Sequence, residues 1–94
     1  MKPLNKEEIQ EKLKEFSQWS YEDDAIHISF EFEDFKNAFT AMTRIAFEAE
    51  RLQHHPTWSN TYNSVNISLS THDADGVTDK DFELAKAIEN VLNQ

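Results

Sequence analysis

The side chains of this protein best suited to moving protons are histidines: an adjacent pair, His54 and His55, directly before Pro56, and a third, His72, further along. Histidine titrates nearer neutral pH than any other side chain, so its donor and acceptor forms coexist there, and general acid-base catalysis needs both. By itself a His-His-Pro tripeptide fits a surface or satisfied core position at least as well as a catalytic one. The spacing around it narrows the reading. Glu50 precedes the pair by three intervening residues, Tyr62 follows Pro56 after five, His72 comes after nine more, and Asp81 after a further eight. Glu50 would otherwise be an ordinary helix-surface carboxylate, and Asp81, three places after Thr78, reads also as the partner in a helix capping box. Trp58 and Tyr62 suit packing as well as stacking on a flat ligand. His27 falls on the polar side of a strand, outside this set, and takes no role.

These residues need elements to position them. Asn5 and Glu8 form a capping box, after which Ile9, Leu13 and Phe16 recur at helical spacing to about Ser17. Trp19 and Tyr21, then Ile26, Ile28, Phe30 and Phe32, alternate with polar residues on either side of Asp23-Asp24, which predicts a hairpin with one buried face. Asp34 caps a long helix whose apolar stripe comprises Phe35, Ala38, Phe39, Met42, Ile45, Ala46, Ala49 and Leu52, and Pro56 marks its end by restricting His55. Two strands follow, Trp58 to Tyr62 and Val65 to Thr71, joined near Asn63-Ser64, with Val65, Ile67 and Leu69 on one face and Asn66, Ser68 and Ser70 on the other. Thr78 and Asp81 open a last helix with Phe82, Ala85, Ile88, Val91 and Leu92 on its apolar face. The order helix, hairpin, helix, hairpin, helix predicts one α+β domain over residues 1–94, a four-stranded antiparallel sheet with three helices packed on one face. His54 and His55 then sit at a helix end and His72 at a strand end, and such ends can converge at one edge of a sheet.

A chain of 94 residues supports one modest core, and with no cysteine it has neither disulfides nor a thiolate metal site to stiffen it. Eighteen acidic against nine basic residues give a net charge of −9, which opposes a phosphate backbone, so direct nucleic-acid binding is not expected. No run of eighteen apolar residues and no apolar N-terminal stretch appear, so neither a membrane span nor a signal peptide is expected, and a cytoplasmic location is the default expectation. The limited core, with a sheet face and two sheet edges uncovered, predicts a homo-oligomer, a dimer or a tetramer.

Taken together, Glu50, His54-His55-Pro56, Tyr62, His72 and Asp81, with the segments DFKNAFTAMTR (34–44) and VNISLSTH (65–72), resemble the pterin-4a-carbinolamine dehydratase family over roughly residues 5 to 93. The resemblance implies the same fold as the element order does. It also implies an enzyme that removes water from a 4a-hydroxytetrahydropterin to give the quinonoid dihydropterin, in tetrahydrobiopterin recycling, with no cofactor. By the same likeness His54, His55 and His72 form the catalytic set, and the substrate is contacted by Gln53, His54, His55, Ser70, Thr71, His72 and Asp73, with Glu50 and Asp81 at or beside the pocket. His55 and His72 are expected at the C4a hydroxyl and His54 near the ring. Glu50 is expected to accept hydrogen bonds from the pterin 2-amino and N3–H groups, and Asp81 to orient a histidine or cap its helix.

Two other readings compete. Three histidines with Asp73 or Glu50 are acceptable zinc ligands, but vicinal histidines rarely chelate one ion together and the chain has no His-x-x-x-His spacing, so no metal is expected. A binding or scaffold protein, using the polar sheet face and the helices, is the other; some members of the resembled family double as dimerisation cofactors of a transcription regulator. Dehydratase activity separates this reading from the enzyme.

Overall fold

A computed structural model describes residues 2–93. The elements run α1 (Lys6–Leu13), β1 (Ser20–Glu22), β2 (Ala25–Glu31), α2 (Phe35–Leu52), β3 (Thr57–Thr61), β4 (Ser64–Leu69), a single 3₁₀ turn (His72–Ala74) and α3 (Asp79–Leu92). The four strands form one sheet in the order β1-β2-β4-β3, with every neighbouring pair antiparallel. This is the α+β arrangement expected from the element order.

Side chains alternate across a strand, so pairing register decides which residues meet the helices. Ile26 lies opposite Leu69 and Ile28 opposite Ile67, and these four, with Val65, join one buried core with Ile9 of α1, Ala38, Ile45 and Ala49 of α2, and Phe82, Leu84 and Ile88 of α3. The intervening pairs, His27 with Ser68 and Ser29 with Asn66, lie on the opposite face. All three helices therefore cover one side of the sheet. Among the described residues no helix is long and apolar enough to cross a membrane.

The turns depart from the sequence expectation in small, explicable ways. Asp23 and Asp24 both take positive φ (52° and 60°), the twist that a two-residue hairpin loop requires and that Asp tolerates better than most side chains. The second hairpin turns at Tyr62-Asn63, one residue before the expected Asn63-Ser64, and Asn63 Nδ2 donates to Phe32 O at 2.9 Å. α1 stops at Leu13 instead of near Ser17, because the N–H groups of Lys14, Glu15 and Phe16 bond to carbonyls three residues back and tighten the chain into turns. Phe16 still reaches the core edge, its ring centroid 5.6 Å from that of Phe82. β4 ends at Leu69, short of Thr71, because the Thr71 N–H turns to Gly76 O at 2.8 Å.

α2 carries the pair His54-His55 at its end, so its seating sets their place. Its buried residues are Ala38, Ala41, Ile45 and Ala49, while Phe35, Phe39 and Ala46 of the expected stripe face solvent. Small residues let the helix approach α3 and β4 closely, and the bulkier phenylalanines are left on its flank; Phe47, outside the stripe, is the most open at 71% exposure.

The helix begins at Asp34, whose Oδ1 accepts from the N and Nδ2 of Asn37, both at 2.9 Å. The Asn37 N–H holds the Asp34 carboxyl below the ordinary carboxylate range. A depressed folded value means that the ionised cap contributes fully above that range and that this contribution disappears as pH falls through it. Asp34→Ala is therefore expected to lower the unfolding midpoint at neutral pH, with the gap to wild type narrowing in acid. A gap independent of pH in thermal melts would contradict this account.

Candidate active site

Gln53 terminates α2 in the left-handed conformation, φ 52° and ψ 44°. A glycine or asparagine is the usual residue there. The strain is offset locally, since His54 N–H returns to Ala49 O at 3.0 Å and Gln53 Nε2 donates to Glu50 O at 2.8 Å. The reversal sends the next two side chains apart. His54 turns inward, with 11% of its side chain exposed, and His55 turns outward, with 58% exposed. Different parts for the two neighbours are thus built into the end of one helix.

Behind His54 lies Asp81, which has no exposed surface. His54 Nε2 stands 2.5 Å from Asp81 Oδ1. The other carboxylate oxygen accepts from Thr71 Oγ1 and from the Thr78 backbone N–H, each at 2.9 Å, and the two threonine hydroxyls are 2.7 Å apart. Asp81 therefore completes the expected capping box of α3 and holds His54 with the same carboxylate. Burying such a group is tolerable only because donors surround it.

His55 Nε2 is 2.6 Å from Glu50 Oε2 in an exposed pair. His72 opens the 3₁₀ turn and is also exposed. Its loop is closed by the bridge between Thr71 and Gly76. Gly76 is the only glycine in the chain, and a Cβ there would lie 2.9 Å from Pro3 Cβ, so the absence of a side chain lets the N-terminal segment cross beside this loop.

Gln53, His54 and His55 from the end of α2, and Ser70 to Asp73 from the end of β4, line one cavity of about 300 Å³. That is the lower end of the range for small-molecule pockets. Every expected substrate-contacting residue is in this lining except Glu50 and Asp81: Glu50 is engaged with His55, and Asp81 is buried behind His54. Three further residues complete the lining, Thr57, Ser68 and Lys80. Thr57 and Ser68 face each other across β3 and β4, a juxtaposition that requires the strand register. Lys80 lies in the first turn of α3, and its position two residues past the cap Thr78 was the one available signal. Among the described residues no three His, Asp or Glu side chains gather as a metal-binding cluster.

Comparison with known proteins decides the family. The profile of the pterin 4 alpha carbinolamine dehydratase family matches residues 2–91. The chain belongs to that family. A Christiangramia forsetii relative named for the same dehydratase is 64% identical over 92 residues, covering 98% of this chain and 95% of its own. One from Burkholderia multivorans, named likewise, is 49% identical over 90 residues, covering 94% of this chain and 88% of its own. The crystal structure of a transcriptional coactivator/pterin dehydratase from Brucella melitensis superposes with a TM-score of 0.92 at 40% identity, over 95% of this chain and 97% of that one.

Removing one partner from a buried, hydrogen-bonded charged group leaves the remaining buried polar groups unpaired and costs roughly 3–5 kcal/mol. Asp81→Ala also removes the acceptor of Thr71 and half of the α3 capping box. Urea unfolding is expected to show a loss of about 3 kcal/mol or more. Glu50→Gln, which touches only the exposed pair with His55, should leave the midpoint nearly unchanged.

Proposed function

We propose that this protein dehydrates a 4a-hydroxytetrahydropterin, with His54, His55 and His72 moving the protons. The observation that carries the reading is the arrival of these three histidines, from the end of a helix and the end of a strand, on one cavity in a chain of this family. The reaction breaks the C4a–O bond and removes the N5 proton; a C4a–N5 double bond forms, water leaves, and no electrons are exchanged with a second molecule. An acid must protonate the departing hydroxyl and a base must accept the N5 proton.

The exposures of the histidines suit this division. His55 and His72 are open and free to approach the hydroxyl at C4a. His54 is fixed by Asp81 through Nε2, which supports a place beside the ring with its other nitrogen as proton acceptor. Gln53, Ser70, Thr71 and Asp73 supply polar atoms along the cavity, and Lys80 joins them. Glu50 orients His55 in this reading, and a contact with the pterin 2-amino group requires its side chain to leave that pair. The product is a quinonoid dihydropterin, and the step belongs to recycling of the reduced pterin.

We further infer that the protein self-associates. Phe35, Phe39 and Phe47 are 46%, 56% and 71% exposed along α2, and Tyr62 is 63% exposed at a hairpin tip. Phe35 and Phe39 lie together, their ring centroids 5.7 Å apart, and exposed aromatic surface that gathers in this way suits an interaction site. Sedimentation equilibrium at micromolar concentration is expected to give a multiple of the 11.0 kDa chain. A single species of chain mass would refute self-association.

The histidine assignment is tested by dehydration kinetics, corrected for the uncatalysed rate, alongside thermal unfolding. His55→Ala and His72→Ala should each lower kcat by about 10² or more with little change in melting temperature, because both side chains are exposed. His54→Ala should lose stability as well, since it strands buried Asp81. His27→Ala is the control: its Nε2 bonds to Glu22 O at 2.9 Å, and His27 is not in the lining of the cavity although it faces Ser68 across the sheet. Wild-type kcat in both the His55 and His72 variants, or an equal loss in the His27 variant, would sink the assignment.

A further inference from the structure

The histidine-lined cavity does not end at the edge of the sheet. Thr57 and Ser68 belong to its lining, and the same two residues line a second cavity, of about 260 Å³, on the helix-free face. Strand register explains why the two meet. His27, Ser68 and Thr57 form one row across β2, β4 and β3, and Ser29, Asn66 and Ser59 form the next. Along β4, Ser68 and Asn66 point to the same face about 7 Å apart, so a ligand seated against Ser68 is one such step from Asn66.

The polar lining of this groove consists of the hydroxyls of Ser29, Thr57, Ser59 and Ser68, the Asn66 amide and His27, with no carboxylate, lysine or arginine. Ser29 Oγ donates to Asn66 Oδ1 at 2.5 Å, which fixes the exposed amide and leaves its Nδ2 donor without a protein partner among the described residues. One row further on, Glu31 lies opposite Ser64. An anion entering along the groove therefore meets a carboxylate, on a chain whose net charge is −9.

We propose that this groove is the subsite for the C6 substituent of the pterin, and that it selects an uncharged, hydroxylated chain, with Asn66 Nδ2 donating to one of the hydroxyl oxygens. The inference rests on the dehydratase reading for the seat of the ring. Asp73 and Lys80, which line the cavity past the end of β4, supply an acceptor and a donor, and the pyrimidine edge of a pterin carries N–H groups and a carbonyl to match them. With that edge turned to Asp73 and Lys80, C6 on the other ring faces Thr57 and Ser68, and its substituent runs over them toward Asn66. A methyl group makes no hydrogen bond there, and a carboxylate is driven off by Glu31.

The test is dehydration of three 4a-hydroxytetrahydropterins by the full-length chain, carrying methyl, 1,2-dihydroxypropyl or carboxyl at C6. The dihydroxypropyl substrate is expected to exceed the methyl one in kcat/KM by about fivefold or more, as one or two hydrogen bonds between neutral groups supply, and the carboxyl substrate to be the poorest. Asn66→Ala should bring the dihydroxypropyl-to-methyl ratio to within about twofold of unity. Thr61→Ala, on the same face but outside the lining, should leave it as in the wild type. Equal kcat/KM for the first two substrates, a preference for the carboxyl one, or a preference for dihydroxypropyl that survives Asn66→Ala overturns the proposal. So does an Asn66→Ala protein with an altered mass in sedimentation equilibrium and the wild-type ratio, which assigns the face to a second copy of the chain. If the wild type dehydrates none of the three, the dehydratase reading fails, and the subsite is judged by calorimetric titration with oxidised 6-methylpterin and 6-(1,2-dihydroxypropyl)pterin. Binding of the latter tighter by about fivefold supports it. Equal dissociation constants, or no binding of either, overturn it.

Discussion

Asp81 is the constraint on which the arrangement of the site depends. A carboxylate taken fully out of water costs several kcal/mol unless donors replace its hydration, and here His54, Thr71 and Thr78 do so from three different elements. The end of α2, the end of β4 and the start of α3 are thereby tied to a single side chain. None of the three can shift by an ångström without breaking a bond to a buried charge. That rigidity fixes the shape of a cavity whose lining comes from separate parts of the chain.

Around this fixed point the other two histidines are exposed. His55 is held only by Glu50 in an exposed pair, where solvent screens the attraction. His72 rides on one 3₁₀ turn whose ends are closed by the Thr71–Gly76 bridge. One buried, oriented imidazole thus lines the same cavity as two exposed ones. The sheet contributes a platform rather than chemistry, since its helix-free face presents Ser68 and Thr57 to the cavity and hydroxyl or amide side chains beyond.

The same economy shows in α2. Its alanines and Ile45 allow close seating, which carries Gln53 to the point where a left-handed residue can split His54 from His55. The phenylalanines on its flank take no part in that seating and face outward.

Much of this was legible because it is local. Capping boxes at Asn5-Glu8 and Thr78-Asp81, the Asp34 cap, and the alternation of Ile26, Ile28, Val65, Ile67 and Leu69 are decided by contacts within a few residues, and all appear in the structure. The spaced histidines, and the likeness they carried, located the cavity. The seating of α2 could not be read, because Phe35 and Ala38 belong to adjacent stripes of equal periodicity and only packing against α3 and β4 chooses between them. Nor could the partners of Asp81: a carboxylate three residues after a threonine has the same sequence signature whether it faces water or lies buried against a histidine from another helix. By itself the sequence determined the elements and their caps. Tertiary structure alone decided that Asp81 is buried, that His54 and His55 part company and that Thr71 points inward, because those outcomes depend on contacts between residues far apart in the chain, whose energies no local pattern encodes.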